Sequence, residues 1–184
     1  MDTKLLFQPG KIGKLELKNK LVFAPVTTNM ASVAGEVTDE LIEFYAKRAK
    51  GGVGLIILEG SRTETEMQKA TITGVNLRLD SSSYIIGMSH LTDTIHEYGA
   101  KIMAQLSMGQ GSYAPPDIYP KGTIPNAVSD TASLLWPGRA VHVLSTSEIE
   151  MLIEAFAEAA LRAKMAGFDG ISTVSYTHLT LPTN

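Results

Sequence analysis

Short, mostly apolar runs alternate with helical patterns along most of this chain. Runs typical of buried strands occur at residues 21–24, 53–58 and 101–106, and a fourth begins at residues 168–171. The segments between them carry apolar residues at helical spacing. This alternation favours an α/β fold with a parallel sheet, either doubly wound or rolled into a barrel.

The helical segments have clear start and stop signals. The expected opening residues are Thr38, Ser82 or Ser83, and Ser145, which forms a capping box with Glu148. The expected stops are glycines, namely Gly51, Gly99 and Gly167. Three helices therefore connect the four strands.

Polar or flexible residues follow the apolar part of the first three strands. These residues are Pro25, Val26 and Thr27, then Glu59 and Gly60, then Gln105 and Ser107. Because ligands bind at the carboxyl ends of parallel strands, we expect a site where these residues meet. The segment 107–144 is rich in Gly, Pro and Ser, and its length is typical of a functional or disordered loop.

Composition excludes several classes of protein. With 184 residues, 44% of them hydrophobic and 19% charged, the chain forms one domain or part of a larger one. A net charge of -3 gives no electrostatic reason to expect nucleic acid or an anionic membrane as a partner. Cysteine is absent, which excludes disulfides and thiolate chemistry, and we predict no metal site. Neither a signal peptide nor a membrane anchor is visible, so we expect a cytoplasmic location.

Four strings stand out along the chain: residues 18–27 (KNKLVFAPVT), 51–60 (GGVGLIILEG), 104–107 (AQLS) and 166–170 (AGFDG). In this order and spacing they resemble the old yellow enzyme family of flavin oxidoreductases, and the likeness spans about residues 5–171. Residues 105–111 (QLSMGQG) and the turn TTN at 27–29 are most similar to the 2-enoate reductase and 2,4-dienoyl-CoA reductase branch. The alternative among enzymes is another FMN barrel, such as a dihydroorotate or dihydrouridine oxidoreductase.

The resemblance implies the N-terminal half of a TIM (β/α)8 barrel, with three complete strands and part of a fourth. It also implies that FMN lies across the carboxyl ends of the strands and that NAD(P)H reduces it. Flavin N5 then passes hydride to the β-carbon of an activated alkene, a small-molecule substrate. FAD, an iron-sulfur cluster and assembly into a homo-oligomer would belong to a longer parent protein.

By position, the resemblance assigns cofactor binding to Ala24, Pro25, Val26, Thr27, Gly60 and Gln105. The first three are expected to give main-chain contacts beside the isoalloxazine ring, and Thr27 to place its hydroxyl near flavin O4 or N5. Gly60 would give a main-chain contact where a side chain would crowd the ring, and the Gln105 amide would bond the pyrimidine edge. Taken singly, Thr27 also fits a turn former, Gly60 a flexible strand exit and Gln105 a solvated amide at the rim.

We assign structural or surface roles to several other polar residues. Glu59 has the position of a general base, but we favour a supporting or structural role for it. Asp169 is expected to shape a turn at the opposite, stability end of the barrel. Solvated or surface positions are expected for Arg62, Glu64, Glu66, His90 and His96, and the sequence identifies no partner for His142.

The sequence departs from the family after Ile171. Relatives carry a paired histidine or asparagine donor for the substrate carbonyl oxygen and then a tyrosine. The matching positions here are Val174, Thr177 and Leu179, so no catalytic residue is assigned, and the adjacent His178 is not taken as a substitute. Ser112 also stands where the branch places an arginine.

Two segments are therefore predicted: residues 1–171 as a partial FMN oxidoreductase barrel, and residues 172–184 as a tail that looks non-native and resembles translated sequencing-adapter sequence. Barrels of this kind commonly need about 250 residues. One functional hypothesis is the N-terminal half of an FMN-dependent ene-reductase, inactive as this fragment. The other is a catalytically inert half-barrel that serves as a binding or assembly module.

Overall fold

A computed structural model describes residues 3–64, 76–108, 124–130 and 137–173. The helices are α1 (Asp39–Lys50), α2 (Ile85–Glu97) and α3 (Thr146–Met165). The strands are β1 (Gly10–Ile12), β2 (Leu15–Leu17), β3 (Val22–Phe23), β4 (Leu55–Arg62), β5 (Lys101–Ser107), β6 (Asn126–Ala127), β7 (His142–Val143) and β8 (Gly170–Thr173). Single 3-10 turns occupy Thr3–Phe7 and Ser82–Tyr84.

The main sheet has four parallel strands in the order β3, β4, β5, β8, which is also their order along the chain. Strands β1 and β2 form a separate antiparallel hairpin, and β6 pairs with β7 in a short parallel ladder. The predicted α/β class and the predicted strands are confirmed. Two strands are longer than predicted, since β4 continues to Arg62 and β5 to Ser107.

All three helices pack on one face of this sheet. Residues of α1, α2 and α3 share one hydrophobic core with the outward side chains of β4 and β5, which are Ile56, Leu58, Ile102, Ala104 and Leu106. Each fully buried leucine or isoleucine contributes about 1.5–3 kcal/mol. A doubly wound sheet carries helices on both faces, whereas consecutive strands with all helices outside are the wall of a barrel. The described part of the chain therefore follows the barrel alternative and not the doubly wound one.

The opposite side of the sheet, which we call the inner face, carries Ile57, Met103, Gln105 and Ser107. These side chains are half-buried, because no helix covers them among the described residues. Residues paired in a parallel ladder point to the same face. The inner face is thus lined by apolar side chains at the middle of the strands and by polar ones toward their carboxyl ends.

The capping predictions are confirmed for two helices and corrected for the third. Thr38 accepts the N–H of Leu41, and Ser145 and Glu148 form the reciprocal capping box. The second helix begins differently, because Ser81 caps the turn Ser82–Tyr84, which leads into α2. None of the helices in the described ranges has the length and hydropathy of a membrane span.

A buried asparagine connects the amino-terminal ends of the first two main strands. The Asn19 Nδ2 donates to the carbonyl of Gly52 at 2.7 Å, and its Oδ1 accepts the N–H of Leu21 at 3.1 Å. Residue 21 directly precedes β3, and residue 52 precedes β4. The side chain therefore fixes the two strands side by side where they begin.

Candidate functional site

The register of the sheet places two of the predicted site residues side by side. Gly60 of β4 is paired with Gln105 of β5, which is paired in turn with Ser172 of β8. A Cβ on Gly60 would lie 3.7 Å from the Gln105 Oε1 and 3.5 Å from the Ser107 Cβ. Ser172 was not predicted as a site residue, because it falls within the segment assigned to the tail.

Gln105 has an amide that no described residue occupies. Its side chain is half-buried on the inner face, and it makes no hydrogen bond with any described residue. An amide offers two N–H donors and a carbonyl acceptor. Because its ladder neighbour is a glycine, no side chain at position 60 covers the amide.

The predicted residues after β3 form an extended exit turn. Ala24, Val26 and Thr27 are exposed and Pro25 is half-buried. The strand itself has only two residues, but Phe23 packs edge-on against Phe44 and Tyr45 of α1, with ring centroids 6.2 Å apart in both pairs. This aromatic contact anchors the start of the turn on the helix layer.

Glu59 links this turn to β4. Its Oε2 accepts the N–H of Thr28 at 2.6 Å. Since Glu59 precedes Gly60, the bond brings the Thr27 end of the turn to the same edge as Gly60 and Gln105. The three predicted strand ends therefore meet, and their role in cofactor binding stays a prediction.

The carboxyl of Glu59 lies in a strongly desolvated environment. The residue is 2% exposed, and its Oε1 is buried without a partner among the described residues. Burial raises the pKa of Glu59, and the bond from Thr28 opposes that shift. The backbone N–H of Glu59 donates to the Tyr45 hydroxyl at 3.2 Å. Burial, with the nearby Glu59 charge, also raises the pKa of Tyr45.

The prediction that Arg62 is a solvated loop charge is wrong. It is the last residue of β4, is half-buried, and is paired with Ser107 on one side and Arg78 on the other. Burial, reinforced by the positive charge of Arg78, lowers the pKa of Arg62. Periodicity missed this because β4 continues four residues beyond the apolar run, through residues that carry no apolar pattern. Glu64 lies just after the strand, and Glu66 is outside the described residues.

Asp169 lies at the amino-terminal end of β8, as predicted, but it does more than shape a turn. Its Oδ1 accepts Lys101 Nζ at 2.8 Å, and its Oδ2 contacts His96 Nε2 at 2.7 Å and the N–H of Ile102 at 2.9 Å. Burial raises the pKa of Asp169, but these bonds outweigh it and the pKa lies below its usual value. The expectation that His96 is a plain surface residue is therefore wrong.

His90 and His142 differ in how they compare with the predictions. His90 is exposed, as predicted. His142 has a partner that the sequence did not identify, since its Nε2 lies 2.8 Å from Oε1 of Glu148 at the start of α3. The remaining predictions, for Ser112, Val174, Thr177, His178 and Leu179, lie outside the described residues.

Comparison with known proteins decides the family. A sequence model described as the NADH:flavin oxidoreductase / NADH oxidase family matches residues 5–177. The chain belongs to this family. The predicted family is thereby confirmed, in preference to the dihydroorotate and dihydrouridine oxidoreductases.

The two curated relatives described next are much longer than this chain. The chain is 41% identical to an NADH oxidase of Thermoanaerobacter brockii, over 90% of the chain and 25% of the relative. It is 38% identical to a cinnamate reductase of Clostridium sporogenes, over 91% of the chain and 25% of the relative. The chain thus spans about a quarter of the length of these proteins.

Solved structures confirm the barrel. The old yellow enzyme homologue from Zymomonas mobilis superposes with a TM-score of 0.75 at 28% identity, over 91% of this chain and 47% of that one. Morphinone reductase in complex with tetrahydroNAD gives a TM-score of 0.76 at 26% identity, over 91% and 48%. The four-stranded sheet thus corresponds to about half of an old yellow enzyme barrel.

Proposed function

We propose that this chain forms the flavin-facing half of an FMN-dependent NAD(P)H oxidoreductase of the ene-reductase type, which reduces activated C=C bonds. The observation that carries the proposal is the Gln105 amide beside Gly60, which has no hydrogen-bond partner among the described residues, at the strand ends where the Thr27 turn also arrives. Family membership supports a flavin as the ligand of this edge.

The residues present fit the isoalloxazine group. The Gln105 amide supplies both a donor and an acceptor for the pyrimidine edge. Gly60 carries no side chain over Gln105, and a Cβ there would lie 3.7 Å from the Gln105 Oε1, on the side where we place the ring. The main chain of the exposed Ala24 and Val26 and of the half-buried Pro25, with the hydroxyl of Thr27, would contact the other side of the ring. When bound, FMN supplies hydride transfer between NAD(P)H and the alkene.

The names of two relatives suggest the class of substrate. One is called a cinnamate reductase and another, from Vibrio harveyi, an NADH:acrylate oxidoreductase. Both names refer to 2-enoates, in which a carboxylate activates the double bond. We therefore propose a 2-enoate as the substrate and NADH as the reductant of the complete enzyme.

The 184-residue chain should need the second half of a barrel in order to hold FMN firmly. In TIM barrels the phosphate site usually follows the seventh and eighth strands. The four strands described here supply the ring contacts only. We expect the chain by itself to bind FMN weakly or not at all and to show no NADH-dependent reduction of cinnamate.

The test joins this chain to the second barrel half of the Clostridium cinnamate reductase and measures FMN binding by quenching of flavin fluorescence. Gln105→Leu should weaken binding about 10-fold or more, the effect of losing hydrogen bonds worth about 1.4 kcal/mol. Met103→Leu is the matched control, because Met103 lies on the same face two residues earlier and offers no hydrogen-bond donor. Equal affinities of the two variants would contradict the assignment of Gln105.

We further propose that any foreign tail begins after Thr173, since Ser172 and Thr173 belong to β8 and pair with β5. The native part would then be slightly longer than residues 1–171. Sequencing of the source DNA across codons 170–184 tests this proposal. A reading frame that continues with a His-x-x-His or His-x-x-Asn signature would show that the tail is foreign, and a confirmed sequence through Asn184 would show that it is native.

One observation favours the second candidate, a catalytically inert half-barrel that serves as a binding or assembly module. Val22 at the edge of the sheet is 47% exposed, and Val26 after it is 46% exposed. Exposed apolar side chains along an open edge of a sheet promote association. Light scattering distinguishes the two, because the module should form a defined oligomer without FMN.

A further inference from the structure

The buried carboxyl of Glu59 makes one hydrogen bond where it has room for several. Its Oε2 accepts the Thr28 N–H at 2.6 Å, while its Oε1 is buried without a partner among the described residues. Leaving a buried polar atom unpaired costs free energy. A leucine of similar volume would avoid that cost but would leave the Thr28 N–H without its acceptor, so the bond to Thr28 is what the carboxyl supplies here.

What the carboxyl holds is the peptide group between Thr27 and Thr28. This group is planar, so fixing the Thr28 N–H also fixes the direction of the Thr27 carbonyl on the other side of the bond. The Thr27 Cα, from which the side chain extends, lies in the same plane and is held with it. The exposed Thr27 side chain makes no hydrogen bond with the described residues that could orient it otherwise.

Further hydrogen bonds hold the same turn beyond Thr28. The Thr28 hydroxyl accepts the N–H of Met30 at 3.2 Å, and the Thr38 hydroxyl donates to the Met30 carbonyl at 2.6 Å. Thr38 also caps α1. Glu59 itself is fixed because its N–H donates to the buried Tyr45 hydroxyl of α1. The turn is therefore held at both ends by the helix layer, and Glu59 is its connection to the sheet.

We infer that Glu59 is a positioning residue, whose buried carboxyl holds the Thr28 N–H and thereby sets the place of the Thr27 hydroxyl beside Gly60 and Gln105. The inference rests on the proposed function only for what Thr27 does there. The burial that raises the pKa of Glu59 is consistent with this role, because a neutral carboxyl still accepts through Oε2. Glu59 acts on the site through the backbone and not by contact with a ligand.

The first experiment measures amide hydrogen exchange in the 184-residue chain by NMR. Glu59→Leu should speed exchange of the Thr28 amide by about 10-fold or more relative to the Ile102 amide, while Glu59→Gln should stay within about 3-fold of the wild type because its amide oxygen can accept the same bond. Ile102 is the internal reference, since its N–H is bound to Asp169 at the other end of the sheet. Unchanged exchange of Thr28 in Glu59→Leu would overturn the inference.

Two comparisons separate positioning from general stability. Thr63→Val is the matched control, because the buried Thr63 hydroxyl also has no partner among the described residues and belongs to the same chain segment. It should leave Thr28 exchange unchanged. If Glu59→Leu or Glu59→Gln speeds exchange of Thr28 and Ile102 equally, Glu59 serves the fold as a whole and the inference is wrong.

The second experiment uses the barrel completed with FMN. Glu59→Leu should shift the absorption maxima and the reduction potential of the flavin in the same direction as Thr27→Ala, and Glu59→Gln should not. Absence of flavin binding in the wild-type barrel would refute the proposed function, while the exchange data would still decide the role of Glu59. Flavin properties that are unchanged in Glu59→Leu but altered in Thr27→Ala would overturn the inference alone.

Discussion

A side chain on Gly54 would collide with Asn19. A Cβ built on Gly54 lies 2.5 Å from the Asn19 Oδ1 and 2.6 Å from its carbonyl oxygen. Since Asn19 is buried and bonded to residues next to two strands, neither atom can move away without breaking the junction of β3 and β4. The glycine is therefore required by packing at the amino-terminal end of the sheet.

The first prediction follows from this contact. Gly54→Ala should destabilise the chain by about 1–3 kcal/mol, the usual cost of overpacking. Urea unfolding followed by circular dichroism measures the change. Gly87→Ala is the control, because a Cβ there meets Val37 at an ordinary 3.4 Å and alanine favours the α2 helix. A smaller loss for Gly54→Ala than for Gly87→Ala would contradict the packing argument.

Asp169→Asn should cost about 1–3 kcal/mol at neutral pH, because it removes charge-assisted bonds to Lys101 and His96. The folded pKa of Asp169 is lowered, so its contribution is present above the unfolded pKa of about 3.9 and is lost as the pH falls through the folded value. Unfolding at several pH values tests this. Asp93→Asn, at an exposed position, is the control. A difference between Asp169→Asn and the wild type that does not shrink as the pH falls below about 3.9 would contradict the prediction.

Glu59→Gln should have the opposite dependence on pH. Burial raises the folded pKa of Glu59, so the stability that its protonated form contributes is present below the unfolded pKa of about 4.3 and is lost as the pH rises through the folded value. Relative to the wild type, Glu59→Gln should therefore become more stable with rising pH. Glu97→Gln, at an exposed position of α2, should not show this trend. A flat difference for Glu59→Gln across pH would refute the raised pKa.

Thr27→Ala should alter the flavin in the completed barrel. Loss of one hydrogen bond to a group that gains charge on reduction is expected to slow reduction by NADH about 10-fold. Stopped-flow absorbance measures the rate. Thr27→Ser keeps the hydroxyl and should restore the rate of reduction. A rate in Thr27→Ser as low as in Thr27→Ala would show that the hydroxyl does not contact the flavin.

Local patterns were enough to predict the sheet and its helices. The apolar runs and the caps at Thr38 and Ser145 depend on neighbours within a few residues, and the structure has the elements where these signals are. Ser81 was missed because three serines follow one another, and each could have capped the second helix. The meeting of Gly60 and Gln105 was also predictable, because carboxyl ends of parallel strands share an edge.

Contacts between distant residues were not predictable in this way. His96 and Asp169 are 73 positions apart, and no spacing rule connects the end of α2 with the start of β8. The half-buried position of Arg62 depends on residues 77–79, whose backbone bonds to it only once the chain is folded. Both depend on tertiary packing, which a single sequence does not reveal.

The pairing of β4 with β5 contains one extra residue, since Ile57 pairs with Met103 but Gly60 pairs with Gln105. Before this bulge, the face to which each position of β4 points is dictated by the helix core. After it, the parity is shifted by one residue, so Gly60 takes the inward position beside Gln105 and Ser61 is fully buried on the helix side. Without the extra residue, Glu59 would pair with Gln105 and point to the inner face. The bulge thus puts a glycine beside the Gln105 amide and turns the neighbouring carboxyl into the protein.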